Sequence, residues 1–300
     1  LMAVVKALEE RCEGPAGGGI HLGATSYDIL DTATALQLKE ALPMLDEGLG
    51  VLESALAGKA REHRDTVMAG RTHGQQAVPI TFGLKCAVYA LEVRRHRERL
   101  RECAPRVLVG KMSGAVGSGA AFGSSFPKIE ALVMERLGLG VEEGATQIVQ
   151  RDRLCELLGL LANVAASTEK FATEVRTLMR TEIGEVWEEF RRDKQVGSST
   201  MPQKRNPITA ENITGLSRLV RAFAGPAYEN AVQWGERDLS NSSGERFIIP
   251  HALVLADDVV RKSARLFDGL EVDAERMKRN LGDFGGTIMA EAIMLALVEG

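Results

Sequence analysis

The sequence predicts an all-α protein, a bundle of long helices whose polar loops gather at the helix ends. Leu38, Leu42, Leu45, Leu49, Leu52 and Leu56 alternate spacings of four and three, the 3.5-residue period of a bundle seam. Leu and Ala are the most frequent residues, Glu, Arg and Val are abundant, and aromatics make up only 5% of the chain, a composition that favours helix over sheet. Convincing alternating runs of four residues or more, the mark of half-buried strands, are few.

The elements follow in order. Residues 1–13 read as the end of a helix that Gly14-Pro15-Ala16-Gly17-Gly18-Gly19 terminates. A polar turn over 20–28 offers Thr25, Ser26 and Asp28 as caps for the seam helix, which spans Asp28 to Ala60 and is expected to kink at Pro43. A loop over Gly70–Pro79 precedes a helix from Thr81 to Leu100. Gly110, Gly114, Gly117, Gly119 and Gly123 predict a mobile or close-approach segment over 109–125. It is no nucleotide fingerprint: Phe122 stands where the dinucleotide motif needs glycine, no strand is predicted before it, and no Gly-Lys-Ser/Thr occurs. Helices are then expected over Phe126–Leu137, from Leu154 to about residue 180, from Pro207 to Arg221 with Gly225-Pro226 as a break, and over Pro250–Phe267. Polar loops at 144–153, 196–207 and 234–246 separate them. The chain begins and ends in helical pattern, which predicts an internal part of a longer protein. Residues 1–20 read as the end of an N-terminal domain, 21–270 as the central bundle and 271–300 as the start of a C-terminal helical domain.

A formal charge of −4 supplies no global field for nucleic acid or an anionic membrane, so any anionic ligand must be met by local positive groups. No run of eighteen apolar residues and no leader pattern occurs, and a soluble cytoplasmic protein is expected. Cys12, Cys86, Cys103 and Cys155 show neither zinc-ligand spacing nor a disulfide framework, and no metal or other cofactor is expected.

Chemistry concentrates in the loops. Ser, Thr, Asn and Asp before helices usually cap them, and His63, His96 and His251 read as ordinary residues of charged or mixed helix faces. His73 stands apart because Arg71-Thr72-His73-Gly74-Gln75-Gln76 surrounds an imidazole with hydrogen-bonding groups, which suits proton exchange with a ligand. Together, His21, Thr72, His73, Gln147, Ser198, Ser199, Lys204, Asn206, Arg237, Ser242 and Arg246 supply carboxylate or phosphate clamps and proton-transfer groups, with no metal cluster and no Cys or Asp nucleophile.

Gly197-Ser-Ser-Thr-Met-Pro-Gln-Lys-Arg-Asn206 resembles the signature loop of the fumarase/aspartase superfamily, whose members eliminate fumarate from a succinyl-bearing substrate. Thr72-His73-Gly74-Gln75 and His21-Leu-Gly-Ala-Thr25-Ser26-Tyr-Asp28 resemble its other two signature regions, in the same order. Within the superfamily, Glu236–Arg246, Gln147–Asp152 and Lys204–Ile208 with Glu211-Asn212 resemble the branch acting on succinyl-purine nucleotides more than the fumarase, argininosuccinate-cleaving or lactonising branches. Gly235 departs from that branch, which often carries histidine there, and a second functional histidine would lie upstream of Leu1.

The resemblance implies a β-elimination without cofactor or metal. Ser198 would be the base with Ser199 beside it, and His73 the acid that protonates the departing nitrogen. Lys204 and Asn206 would hold the enediolate, aided by the dipole of the helix starting at Pro207. Glu211 would orient a catalytic partner. His21, Thr25, Ser26, Thr72, Gln147 and Ser242 would bind substrate, and Arg237 and Arg246 would clamp phosphate or carboxylate. It further implies a homotetramer with each site built from three subunits, a small-molecule substrate of succinyl-purine nucleotide type, and no nucleic-acid or membrane partner.

Overall fold

The leucine seam is one continuous helix. In the computed structural model, which describes residues 2–189, 204–283 and 285–299, a first helix α1 (Met2–Glu9) is followed by α2 (Ser26–Glu62), unbroken past Pro43. All six seam leucines are at most 3% exposed. Each fully buried leucine contributes about 1.5–3 kcal/mol by removal from water, so the seam is a main source of the helix's stability.

The remaining helices are α3 (Phe82–Val107), α4 (Phe126–Leu137), α5 (Asp152–Leu178), α6 (Ile208–Ala222), α7 (Ala224–Ala231), α8 (Ser240–Asp268), α9 (Ala274–Gly282) and α10 (Ala290–Glu299). The apolar face expected after Leu154 is the buried face of α5: Leu157, Leu158, Leu161, Ala165, Phe171, Ala172, Val175 and Leu178 are all 2% exposed or less. Among the described residues no single helix is long and apolar enough to cross a membrane.

Three features depart from what the sequence predicts. The segment 70–79 belongs to an antiparallel hairpin, β1 (Val67–Thr72) against β2 (Gln75–Thr81), with Thr72 opposite Gln75. Its two-residue turn is His73-Gly74, with φ of 53° and 75°, the left-handed pair that matches hairpin twist. A register shift between Ala69 and Arg71 and three successive buried residues, Met68, Ala69 and Gly70, remove the alternation by which a strand is recognised. Second, α8 starts at Ser240, so half of the polar stretch 234–246 is helical and Pro250 lies inside the helix. Third, His96 is 2% exposed and its Nε2 meets Ser167 Oγ at 2.8 Å, so it is a core residue and not part of a charged surface.

Two further short pairs complete the sheets among the described residues: parallel β3 (Val109–Gly110) with β4 (Gly140–Val141), and antiparallel β5 (Val186–Trp187) with β6 (Glu271–Val272). The glycine-rich segment is a close-approach segment. A Cβ on Gly117, at φ +81°, would lie 2.1 Å from the Ala145 carbonyl oxygen, and one on Gly119 would lie 2.1 Å from the Phe126 ring.

The chain divides into two compact units. One comprises Leu1–Met44, Arg99–Leu160 and Phe223–His251; the other comprises Leu45–Glu98, Leu161–Ala222 and Ala252–Gly300. In the first, Arg151 (4% exposed) donates to Asp31 and to Glu245, joining the starts of α2, α5 and α8. In the second, Tyr89 stacks on Phe171 at 4.3 Å and Phe267 meets Phe171 edge-on at 6.4 Å, so α3, α5 and α8 share an aromatic cluster.

Candidate active site

The first unit carries His21, Thr25, Ser26, Gln147, Arg237, Ser242 and Arg246. Most are organised around a fully buried ion pair, Lys111 with Asp28 at 2.5 Å. Asp28 closes the first turn of α2: its Oδ2 accepts the Thr25 amide at 2.7 Å, the return half of a capping box. It also accepts the amides of Ser113 and Gly114, while Lys111 Nζ donates to the Gln147 carbonyl at 3.1 Å. One pair thus fixes the turn bearing Thr25 and Ser26, the glycine-rich segment and the Gln147 loop.

Gln147 and Arg237 are in direct contact. Gln147 Oε1 accepts from Arg237 Nη1 at 2.8 Å, its Nε2 donates to the Ala115 carbonyl, and the Arg237 guanidinium lies 3.8 Å above the Tyr27 ring. Such stacking contributes about 1–2 kcal/mol and holds the guanidinium plane fixed. Arg237 Nε is buried with no protein partner, a donor available to a ligand. Ser242 and Arg246 sit one turn apart on α8, where Arg246 Nη2 donates to Ser242 Oγ at 3.2 Å. His21 has φ 68° and a buried, unpartnered Nε2. A side chain held in left-handed backbone with an orphaned ring nitrogen is the usual mark of a functional position.

The second unit carries Thr72, His73, Lys204, Asn206 and Glu211. Ser198 and Ser199 lie outside the described residues. His73 is exposed at the tip of the hairpin turn. Lys204, Asn206 and Glu211 line a cavity of about 800 Å³ together with Arg176, Thr177 and Trp187. Thr72 and His73 are not among its lining residues. The start of α6 does not offer its amides to that cavity. Glu188 takes them, Oε2 accepting from Thr209 N at 3.0 Å and Oε1 from Ala210 N at 2.8 Å. The expected contribution of this helix dipole to a bound anion is therefore already neutralised by a carboxylate.

In the sequence Lys111, Glu185 and Glu188 have no assigned role, Tyr27 and Asp28 stand only as members of the turn over 20–28, and Arg71 only as one of the polar neighbours of His73. Asp28 and Lys111 are 83 residues apart, and Arg71 and Glu185 are 114 apart. Pairs at such separation leave no periodic trace. The one available signal was Lys111 itself, a lone lysine in the apolar and glycine-rich run 107–117.

The described residues thus form a long-helix bundle whose loops carry arginine, lysine and histidine side chains, one of the histidines at a turn with left-handed backbone. A family model described as a lyase matches residues 4–222, and the chain belongs to this lyase family. It is 52% identical over 299 residues to an adenylosuccinate lyase of Pyrococcus abyssi, covering 100% of this chain and 66% of that protein. An adenylosuccinate lyase of Methanothermobacter thermautotrophicus is 47% identical, again over 100% of this chain and 67% of the relative. The chain thus spans about two thirds of the length of these relatives. Among solved structures, a fumarate lyase from Mesorhizobium sp. BNC1 superposes with TM-score 0.90 at 36% identity, covering 99% of this chain and 66% of that one. The 3-carboxy-cis,cis-muconate lactonizing enzyme from Pseudomonas putida does so with TM-score 0.90 at 38% identity and the same coverage.

Proposed function

We propose that the protein is a carbon–nitrogen lyase that cleaves adenylosuccinate to AMP and fumarate, and the related succinyl-carboxamide ribotide SAICAR to AICAR and fumarate. The observation that carries this reading is the pairing of Arg237 with Gln147 over Tyr27: a rigid, half-buried guanidinium with a spare donor suits a nucleotide phosphate or a carboxylate. The relatives named adenylosuccinate lyase, 52% and 47% identical, support it.

In this reading Ser198 removes a proton from the carbon beside a substrate carboxylate. The electron pair passes into an enediolate held by Lys204 and Asn206, then returns to form the double bond of fumarate as the carbon–nitrogen bond breaks. His73 gives its proton to the departing purine-side nitrogen, and its exposed position on a two-residue turn leaves it free to meet a ligand. Serine is a weak base, so water must be excluded while Lys204 stabilises the alkoxide, with Ser199 alongside. Glu211 orients a catalytic partner. Thr72, Gln147, Ser242, His21, Thr25 and Ser26 bind the succinyl and purine groups, and Arg237 and Arg246 clamp phosphate or carboxylate.

The two sets of site residues lie in different units of one chain, which accords with a homotetramer whose sites combine loops from three subunits. An ultraviolet assay for loss of succinyl-AMP with formation of AMP and fumarate tests the reading, run beside argininosuccinate and a carboxymuconate. Turnover of the succinyl nucleotide is expected; turnover of argininosuccinate or lactonisation alone overturns it in favour of another branch of the superfamily.

A further inference from the structure

The segment 183–188 carries two carboxylates three residues apart, and each holds an element that bears proposed site residues. Glu185 is 0% exposed. Its Oε1 accepts from Arg71 Nη2 at 2.6 Å and from Asn280 Nδ2 at 2.7 Å, and its Oε2 accepts from Arg71 Nη1 at 2.9 Å. Arg71 lies on β1 two residues before His73. On β2, Gln76 Nε2 donates to the Asn280 carbonyl at 3.0 Å. Both strands flanking the His73-Gly74 turn are therefore tied to one buried carboxylate, directly through Arg71 and by way of Asn280 through Gln76. Glu188 takes the Thr209 and Ala210 amides, and its carbonyl accepts from Arg205 Nη2 at 3.1 Å, which fixes the segment leading into α6 with Lys204, Asn206 and Glu211.

The strap is itself anchored. Arg276 Nε on α9 donates to the Ile183 carbonyl at 2.9 Å, Asp273 N donates to the Glu185 carbonyl at 3.0 Å, and Val186 and Trp187 pair with β6. A bidentate guanidinium–carboxylate pair with one partner wholly buried cannot slip without leaving a bare charge in the interior, so the hairpin has one permitted position. That matters for His73, whose left-handed backbone is a conformation that residues with a side chain adopt only when their surroundings impose it.

We propose that Glu185 and Glu188 are positioning residues on a common strap, Glu185 setting the His73 imidazole and Glu188 setting the Lys204–Asn206 segment. This rests on the functional reading above. The test is a pair of double-mutant cycles in the assembled full-length enzyme, with intact assembly verified for each variant. Glu185→Gln lowers kcat by about tenfold to a hundredfold with KM little changed, the size expected when a reacting group is misplaced. In a His73→Ala background the same substitution has no further effect beyond about twofold, because its target is gone. Glu188→Gln is likewise silent in a Lys204→Ala background, while its effect multiplies with that of His73→Ala. Multiplicative losses in the matched backgrounds, or a kcat unchanged by Glu185→Gln, overturn the proposal.

If Glu185→Gln does not assemble, Asn280→Ala, which leaves the Arg71–Glu185 pair in place, enters the same cycle. Amide hydrogen exchange across Thr72–Gln75 gives a readout independent of turnover: it accelerates in Glu185→Gln, and unchanged exchange counts against the strap. An unaltered enzyme that releases no fumarate from any succinyl nucleotide overturns the functional reading instead, and the exchange experiment then decides Glu185 on its own.

Discussion

Lys111 and Asp28 make a strong demand on the first unit, because neither charge is exposed and each is the other's counter-charge. Lys111→Met leaves Asp28 buried against backbone amides alone, and a loss of about 3–5 kcal/mol in unfolding free energy is expected, measured by denaturant titration. The same substitution frees the Gln147 carbonyl, so substrate KM is expected to rise even in the folded fraction. At the cysteines the physics is desolvation. Burial pushes the Cys86 thiol up to about 12 and the Cys103 thiol up to about 11, and it raises Cys155 as well. A thiol whose pKa is near 12 is thiolate to the extent of roughly one part in ten thousand at pH 8. Of the four cysteines, only Cys12, which is half-buried, is expected to react quickly with a disulfide reagent under native conditions; fast reaction of more than one thiol per chain would refute this. His73→Ala is expected to lower kcat by about a hundredfold to ten-thousandfold, the range of a lost general acid, in a steady-state assay of fumarate release.

Helices and hairpins left different traces in the sequence. Gly83 in the first turn of α3 crosses the end of α2 so closely that a Cβ would meet the Ala60 and His63 carbonyls at 2.6 and 2.7 Å and Arg64 Cα at 2.7 Å. Backbone cannot yield as a side-chain tip does, so Gly83→Ala is expected to cost about 1–3 kcal/mol, visible as a lowered Tm. The helices themselves were legible because burial repeats along them: Leu38 to Leu56 on α2 and Leu157 to Leu178 on α5 read as seams and are buried as seams. The β1–β2 hairpin was not legible, because its buried residues are consecutive and its turn uses histidine where glycine or asparagine is usual. The start of α8 was misplaced for a local reason, since Pro250 is a good first helical residue but here lies well inside the helix. Of the candidate site, the loop residues proposed to bear chemistry stand out in the sequence by type and spacing. The groups that hold them, Asp28 with Lys111, Arg71 with Glu185, and Glu188 with the first amides of α6, do not, because none of these partners is a local neighbour in the sequence.

At the scale of the whole molecule, the candidate residues divide between two units, and the proposed assembly would complete each site with loops from other subunits. Two inactive variants, His73→Ala and Lys204→Ala, are therefore expected to recover part of the activity when mixed under conditions that exchange subunits. Absence of recovery, with exchange verified by mass spectrometry of mixed oligomers, would rule out shared sites. The strap at 183–188 then acquires a further meaning. It gives the imidazole-bearing turn and the lysine-bearing segment of one chain a single structural reference. In the proposed assembly, where those two elements would serve different sites, the strap would hold the imidazole of one centre and the lysine of another to the same buried frame.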